Sequence, residues 1–112
     1  MTKIKFTKNN GYIVKMQIEG HTGYAEHGRD ILCSAISALS QAVVLGLKQV
    51  VKCKVNYKTD YKRCFLMVEL VKPDQDVLNQ ANILFETARM SFEDLQIENE
   101  KYMKVEVCDE IY

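Results

Sequence analysis

Residues 20–37 read Gly-His-Thr-Gly-Tyr-Ala-Glu-His-Gly-Arg-Asp-Ile-Leu-Cys-Ser-Ala-Ile-Ser, and within this stretch the chain changes its period. Before it, apolar and polar residues alternate. Ile4 and Phe6 mark a first strand, and Asn9-Asn10-Gly11 is a hairpin signal. A second strand follows, with Tyr12, Val14, Met16 and Ile18 on one face and Ile13, Lys15, Gln17 and Glu19 on the other. It should end at Gly20. Residues 20–29 carry three glycines and no apolar period, which reads as a loop. Asp30 is a favoured helix N-cap, so a helix is expected to start there. Residues 31–52 are apolar on most sides. Ser34, Ser37, Gln41, Lys48 and Lys52 form one narrow polar stripe, the pattern of a mostly buried helix.

Downstream, Cys53, Val55 and Tyr57 alternate as a third strand. Residues 59–62 read as a polar turn and 64–71 as a fourth strand. Pro73 and Asp74 open a second helix, whose apolar stripe is Ala81, Leu84, Phe85, Ala88, Phe92 and Leu95. Met103, Val105 and Val107 make a last strand. The expected fold is α+β, a single domain over residues 1–112. About five mostly antiparallel strands carry two helices packed on the sheet, in the order β-β-α-β-β-α-β.

The totals narrow the function. The chain has 112 residues, with 15 Lys+Arg against 15 Asp+Glu. Zero formal charge suits neither a nucleic-acid binder nor a membrane-surface binder. Residues 1–6 lack the apolar stretch of a signal peptide, and by inspection no run approaches the ~18 apolar residues of a membrane span. The four cysteines, Cys33, Cys53, Cys64 and Cys108, form no C-x-x-C pair. Reduced thiols in a cytoplasm are the simplest reading. No cofactor or metal is expected.

Chemistry concentrates on His21 and Cys33. A thiol of ordinary pKa, about 8.5, is mostly protonated at neutral pH and needs help to become a thiolate. If Asp30 caps the helix, Cys33 lies in its first turn, where the dipole favours the thiolate and unpaired backbone N–H groups face an oxyanion. The loop can bring His21 back to hold the thiolate and later protonate a leaving amine. Asp30 either caps the helix or orients the imidazole. Ser37 falls one turn after Cys33 on the same face.

The stretch from Gly20, His21, Thr22, Gly23, Tyr24 and Ala25 to Gly28, then Asp30, Ile31, Leu32, Cys33, Ser34, Ala35, Ile36 and Ser37, closely resembles the ribosomal-processing cysteine protease family, Prp. That signature runs G-H-small-G-aromatic-A, a short gap, then G-x-D-aliphatic-aliphatic-C-small-small-aliphatic-S. Thr22 stands where Ala or Ser is usual. The resemblance implies a cytoplasmic, homodimeric endopeptidase acting on a ribosomal protein, with no direct nucleic-acid or membrane partner. The substrate it implies is large-subunit protein number twenty-seven (bL27), which loses its N-terminal extension by a cut after an aromatic residue. His21 and Cys33 are the implied catalytic pair, and Gly20, Asp30 and Ser37 support them. The implied mobile loop is Thr22, Gly23, Tyr24, Ala25, Glu26, His27, Gly28 and Arg29, with Gly23 and Gly28 as hinges. The main rival is a non-catalytic dimeric peptide-binding module associated with ribosome assembly. Two further readings are a metal site of His21, His27 and Cys33, and a redox role for the thiols.

Overall fold

A computed structural model describes residues 1–20 and 26–110, with residues 26–30 described by their backbone alone. The strands are β1 (Thr2–Asn9), β2 (Tyr12–Glu19), β3 (Val55–Asp60), β4 (Phe65–Leu70) and β5 (Met103–Asp109). The helices are α1 (Glu26–Leu45), continued by a π-helical segment, Gly46–Val51, and α2 (Gln75–Ile97). A short 3-10 turn, Tyr61–Arg63, joins β3 to β4. The expected order β-β-α-β-β-α-β is the one found. The sheet runs β3-β4-β2-β1-β5. Among the described residues, only the β1–β5 pairing is parallel.

The hairpin signal at Asn10-Gly11 is realised with φ of 55° and 83°, the left-handed pair that a two-residue turn requires. One face of the sheet is then set by strand period. Ile4 and Phe6, Met16 and Ile18, and Leu66, Val68 and Leu70 are buried. They join Leu32, Ile36, Val43, Val44 and Leu47 of the first helix and Ala81, Phe85, Ala88 and Phe92 of α2 in one core. The rings of Phe6 and Phe92 lie 6.3 Å apart. Asp74 caps α2, its carboxylate accepting the Val77 N–H at 2.9 Å.

Four expectations are corrected. The alternation expected for β2 breaks at its start, where Ile13 and Val14 are both buried. The register against β1 slips between Thr7 and Lys8, and such a bulge shifts the side-chain phase by one residue. Asn82 of α2 takes both backbone groups of Ile13, accepting its N–H at 2.8 Å and donating to its carbonyl at 3.0 Å. The first helix begins at Glu26, so Asp30 is its fifth residue and not its cap, and residues 26–29 are helix where a loop was expected. The helix is not buried on most sides, since Ile31, Leu45 and Val50 are largely exposed. Finally, Ile31–Val51 is long and apolar enough to cross a membrane by length and composition, although no such run was expected. Leu32, Ile36, Val43, Val44 and Leu47 within it pack into the core, as in the core helix of a globular domain.

The end of the π segment is fastened at one atom. The Leu47 carbonyl accepts the N–H of Lys52, the N–H of Cys53 at 3.1 Å and the Cys53 thiol at 3.5 Å. Lys52 takes a φ of 60° to allow this reversal into β3. Burial pushes the Cys53 thiol up in pKa, keeping it protonated at neutral pH.

Candidate active site

Cys33 is the eighth residue of α1, two turns inside the helix. Its N–H therefore falls opposite the Arg29 carbonyl in the helical ladder. It is not one of the unpaired donors at a helix start. The dipole effect, which fades beyond the first turn, is correspondingly small at this position. With the helix in this form, the two aids expected from a cap at Asp30 are not supplied.

The Cys33 side chain is half-buried and lines a cavity of about 250 Å³. From α1 the cavity also takes Ile36, Ser37, Ser40 and Gln41. Thr2, Ile18 and Leu66 of the sheet form its floor, and Gly20 adds backbone. The opposite wall is the β3–β4 hairpin, through Tyr57, Thr59, Asp60, Tyr61, Cys64 and Phe65. The lining is mostly apolar, with hydroxyls and an amide along the α1 side.

These polar groups are held in place. Gln41 Nε2 donates to Ser37 Oγ at 3.1 Å. The buried Ser40 hydroxyl is within hydrogen-bond reach of the Ile36 and Ser37 carbonyls. The Asp60 carboxylate accepts the Lys62 N–H at 3.1 Å and shapes the hairpin tip. Lys48 holds its ammonium 4.5 Å from the Tyr57 ring centroid, and the Arg63 guanidinium stacks 5.0 Å from that of Phe65. Two aromatic side chains of the wall thus carry a cation against them.

Of the expected site residues, Gly20, Cys33 and Ser37 share this cavity. Asp30 is described only as helix backbone, as are Glu26, His27, Gly28 and Arg29. His21, Thr22, Gly23, Tyr24 and Ala25 lie outside the described residues, so the pairing of His21 with Cys33 does too. Of the alternative metal trio, His21 lies outside the described residues and His27 is described by its backbone alone. Sequence reasoning missed the hairpin wall. Tyr57 and Thr59 alternate toward the helices, which was the available signal, but their approach to α1 joins residues far apart in the chain.

A cysteine opening onto an apolar cavity between a helix and a sheet fits a thiol enzyme with a chain-like substrate. The family model described as cysteine protease Prp matches residues 1–104, and the chain belongs to this family. It is a cysteine protease. Among solved structures, SMU.848 from Streptococcus mutans is similar, with a TM-score of 0.86 at 22% identity, covering 98% of this chain and 96% of that one. The essential ribosomal processing protease Prp from S. aureus, in complex with a covalently linked product peptide, has a TM-score of 0.83 at 19% identity, covering 96% and 99%. The same S. aureus protease in complex with a substrate peptide gives 0.82 at 18%, again covering 96% and 99%. At these identities the likeness establishes the fold. Among curated protein sequences, none matches this chain.

Gly20 ties the site to the sheet. Its φ is 97°, a Cβ there would stand 2.6 Å from the Met1 carbonyl oxygen, and its own carbonyl accepts the Thr2 hydroxyl at 3.1 Å. Gly20→Ala must strain the backbone and displace the first strand. It is expected to lose roughly 1–3 kcal/mol of stability, read as a drop of several degrees in Tm. An unchanged Tm would refute this account of the glycine.

Proposed function

We propose that this protease removes the N-terminal extension of large-subunit ribosomal protein number twenty-seven, cutting after an aromatic residue with His21 and Cys33 as the working pair. The observation that carries the reading is that Cys33 and Gly20 line one apolar cavity, and the chain joins His21 directly to Gly20. An engineered cavity of roughly 150 Å³ takes benzene. About 250 Å³ beside the thiol accommodates an aromatic side chain of the substrate. His21 would hold Cys33 as thiolate, the thiolate would attack the carbonyl of that aromatic residue, and the imidazolium would protonate the leaving amine of the next residue. Water then releases the acyl group and restores the thiol. The reading places the enzyme in the cytoplasm, where ribosomal proteins are made.

The long form of α1 has a place in this scheme. If residues 26–29 unwind as substrate enters, Asp30 becomes the N-cap and Cys33 enters the first turn, with the dipole and unpaired N–H groups in reach. Gly28 within those turns makes the unwinding cheap, since glycine disfavours helix by about 1 kcal/mol relative to alanine.

The reading also makes the enzyme a homodimer. Ile83, Met90 and Ile97 are exposed at seven-residue intervals along α2, and Ile31 and Leu45 are exposed on α1, so each helix offers an apolar face to a second copy.

Four outcomes are expected. The purified protein, incubated with the same organism's protein number twenty-seven, yields by intact mass a single cut that removes an N-terminal segment. Cys33→Ala and His21→Ala each abolish it. No cut by the wild type, with Cys33 no faster toward iodoacetamide than an ordinary thiol, would instead favour the non-catalytic peptide-binding module. Gly28→Ala, by holding the long helix, lowers kcat/KM about fivefold; an unchanged value would sink the unwinding step. Sedimentation gives twice the 12.9 kDa chain mass, and a monomer at micromolar concentration would remove the dimer from the reading.

A further inference from the structure

β3 is an edge strand. It pairs with β4 on one side, and among the described residues no strand lies on the other. The ladder fixes which of its backbone groups face outward. Lys54 stands opposite Val71, whose N–H donates to the Lys54 carbonyl at 3.0 Å, and the pairing continues from Val55↔Leu70 to Asp60↔Phe65. In an antiparallel ladder, hydrogen-bonded pairs alternate with non-bonded ones. Lys54, Asn56, Lys58 and Asp60 therefore spend their backbone groups on β4. Val55, Tyr57 and Thr59 turn theirs to the open edge. Two of these three, Tyr57 and Thr59, also send their side chains into the cavity that Cys33 lines.

We propose that the substrate peptide binds as an added strand along the open edge of β3, exchanging main-chain hydrogen bonds with Tyr57 and Thr59. The proposal rests on the protease reading above and specifies how that site holds its substrate. A strand laid on this edge has every second residue on the same face as Tyr57 and Thr59. Two substrate residues, two positions apart, then meet the cavity side, and the residue between them lies on the exposed face with Asn56 and Lys58. The backbone bonds give affinity without regard to sequence, and the cavity reads the alternate side chains. Extended chain is also the form a protease can cut, because its carbonyls are not engaged in a helix. The competing account is that β3 is an edge guarded by its exposed Lys58 and short length, and pairs with nothing.

The test uses the full chain carrying Cys33→Ala, so that the probe is not turned over. The probe is a synthetic peptide spanning the N-terminal extension of the organism's protein number twenty-seven. Amide exchange read residue by residue by NMR should slow roughly tenfold or more at Tyr57 and Thr59 in millimolar peptide, with Asn56 and Lys58 unchanged. Unchanged exchange at Tyr57 and Thr59 overturns the proposal. A second arm measures cutting of the same peptide by two variants with an intact Cys33. Thr59→Pro deletes an outward N–H without touching the β4 ladder, and Thr59→Val keeps it. Relative to Thr59→Val, which also loses the hydroxyl but keeps the N–H, Thr59→Pro should raise KM about five- to tenfold, the size of one net hydrogen bond, with kcat little changed between the two. Equal KM values for the two variants overturn the proposal. A peptide left uncut by the wild type counts against the ribosomal substrate, and the exchange arm still decides the strand.

Discussion

A single cross-strand row orders this molecule. Val107, Phe6, Met16, Val68 and Tyr57 stand side by side across the five strands, from β5 to β3. The Asn10-Gly11 turn holds β1 and β2 in the register that puts Phe6 beside Met16. A slip of one residue in that pairing would turn the row to the wrong face. In the middle of the sheet the row is core, with Phe6, Met16 and Val68 fully buried. At β3 it outruns the helices, and Tyr57 becomes the wall of a cavity. The site is where the apolar row continues past the cover above it.

The chemistry depends on the other wall. α1 brings Cys33, Ser37 and Gln41 to the cavity along one stripe, while Leu32, Ile36 and Val43 hold the helix to the core. The core thus gives the thiol rigid support through the helix that carries it. The helix starting at Glu26 places the thiol well for packing and poorly for activation. In the proposed scheme, unwinding of residues 26–29 resolves that conflict.

Most of the architecture was legible in the sequence because its signals are local. The Asn-Gly turn, the Asp74 cap and the stripe from Ala81 to Leu95 each depend on residues a few positions apart, and each lies where the period placed it. Two local signals misled. Asp30 is as good a cap as Asp74, yet the helix runs past it to Glu26, since favourable capping chemistry permits an end without forcing one. The alternation of β2 could not reveal the bulge that buries Ile13 and Val14 together. For the site, the motif singled out Gly20, Cys33 and Ser37, which do share a cavity. The hairpin half was illegible, because the approach of Tyr57 and Tyr61 to α1 follows from sheet order and helix placement, not from any nearby residue.

The fastening at Leu47 sets how the two walls of the cavity can move. α1 and its π segment on one side and β3 on the other are consecutive in the chain, joined by only Lys52, Cys53 and Lys54. That junction is bound from several directions: three donors meet the Leu47 carbonyl, the Val71 N–H holds the Lys54 carbonyl, and Lys48 rests on Tyr57. The walls are like the arms of a pair of tongs, closed at the Cys53 end. Any widening must then grow with distance from that pivot, so the cavity opens most at the end where Cys33, Thr59 and Tyr61 line it and least beside Tyr57.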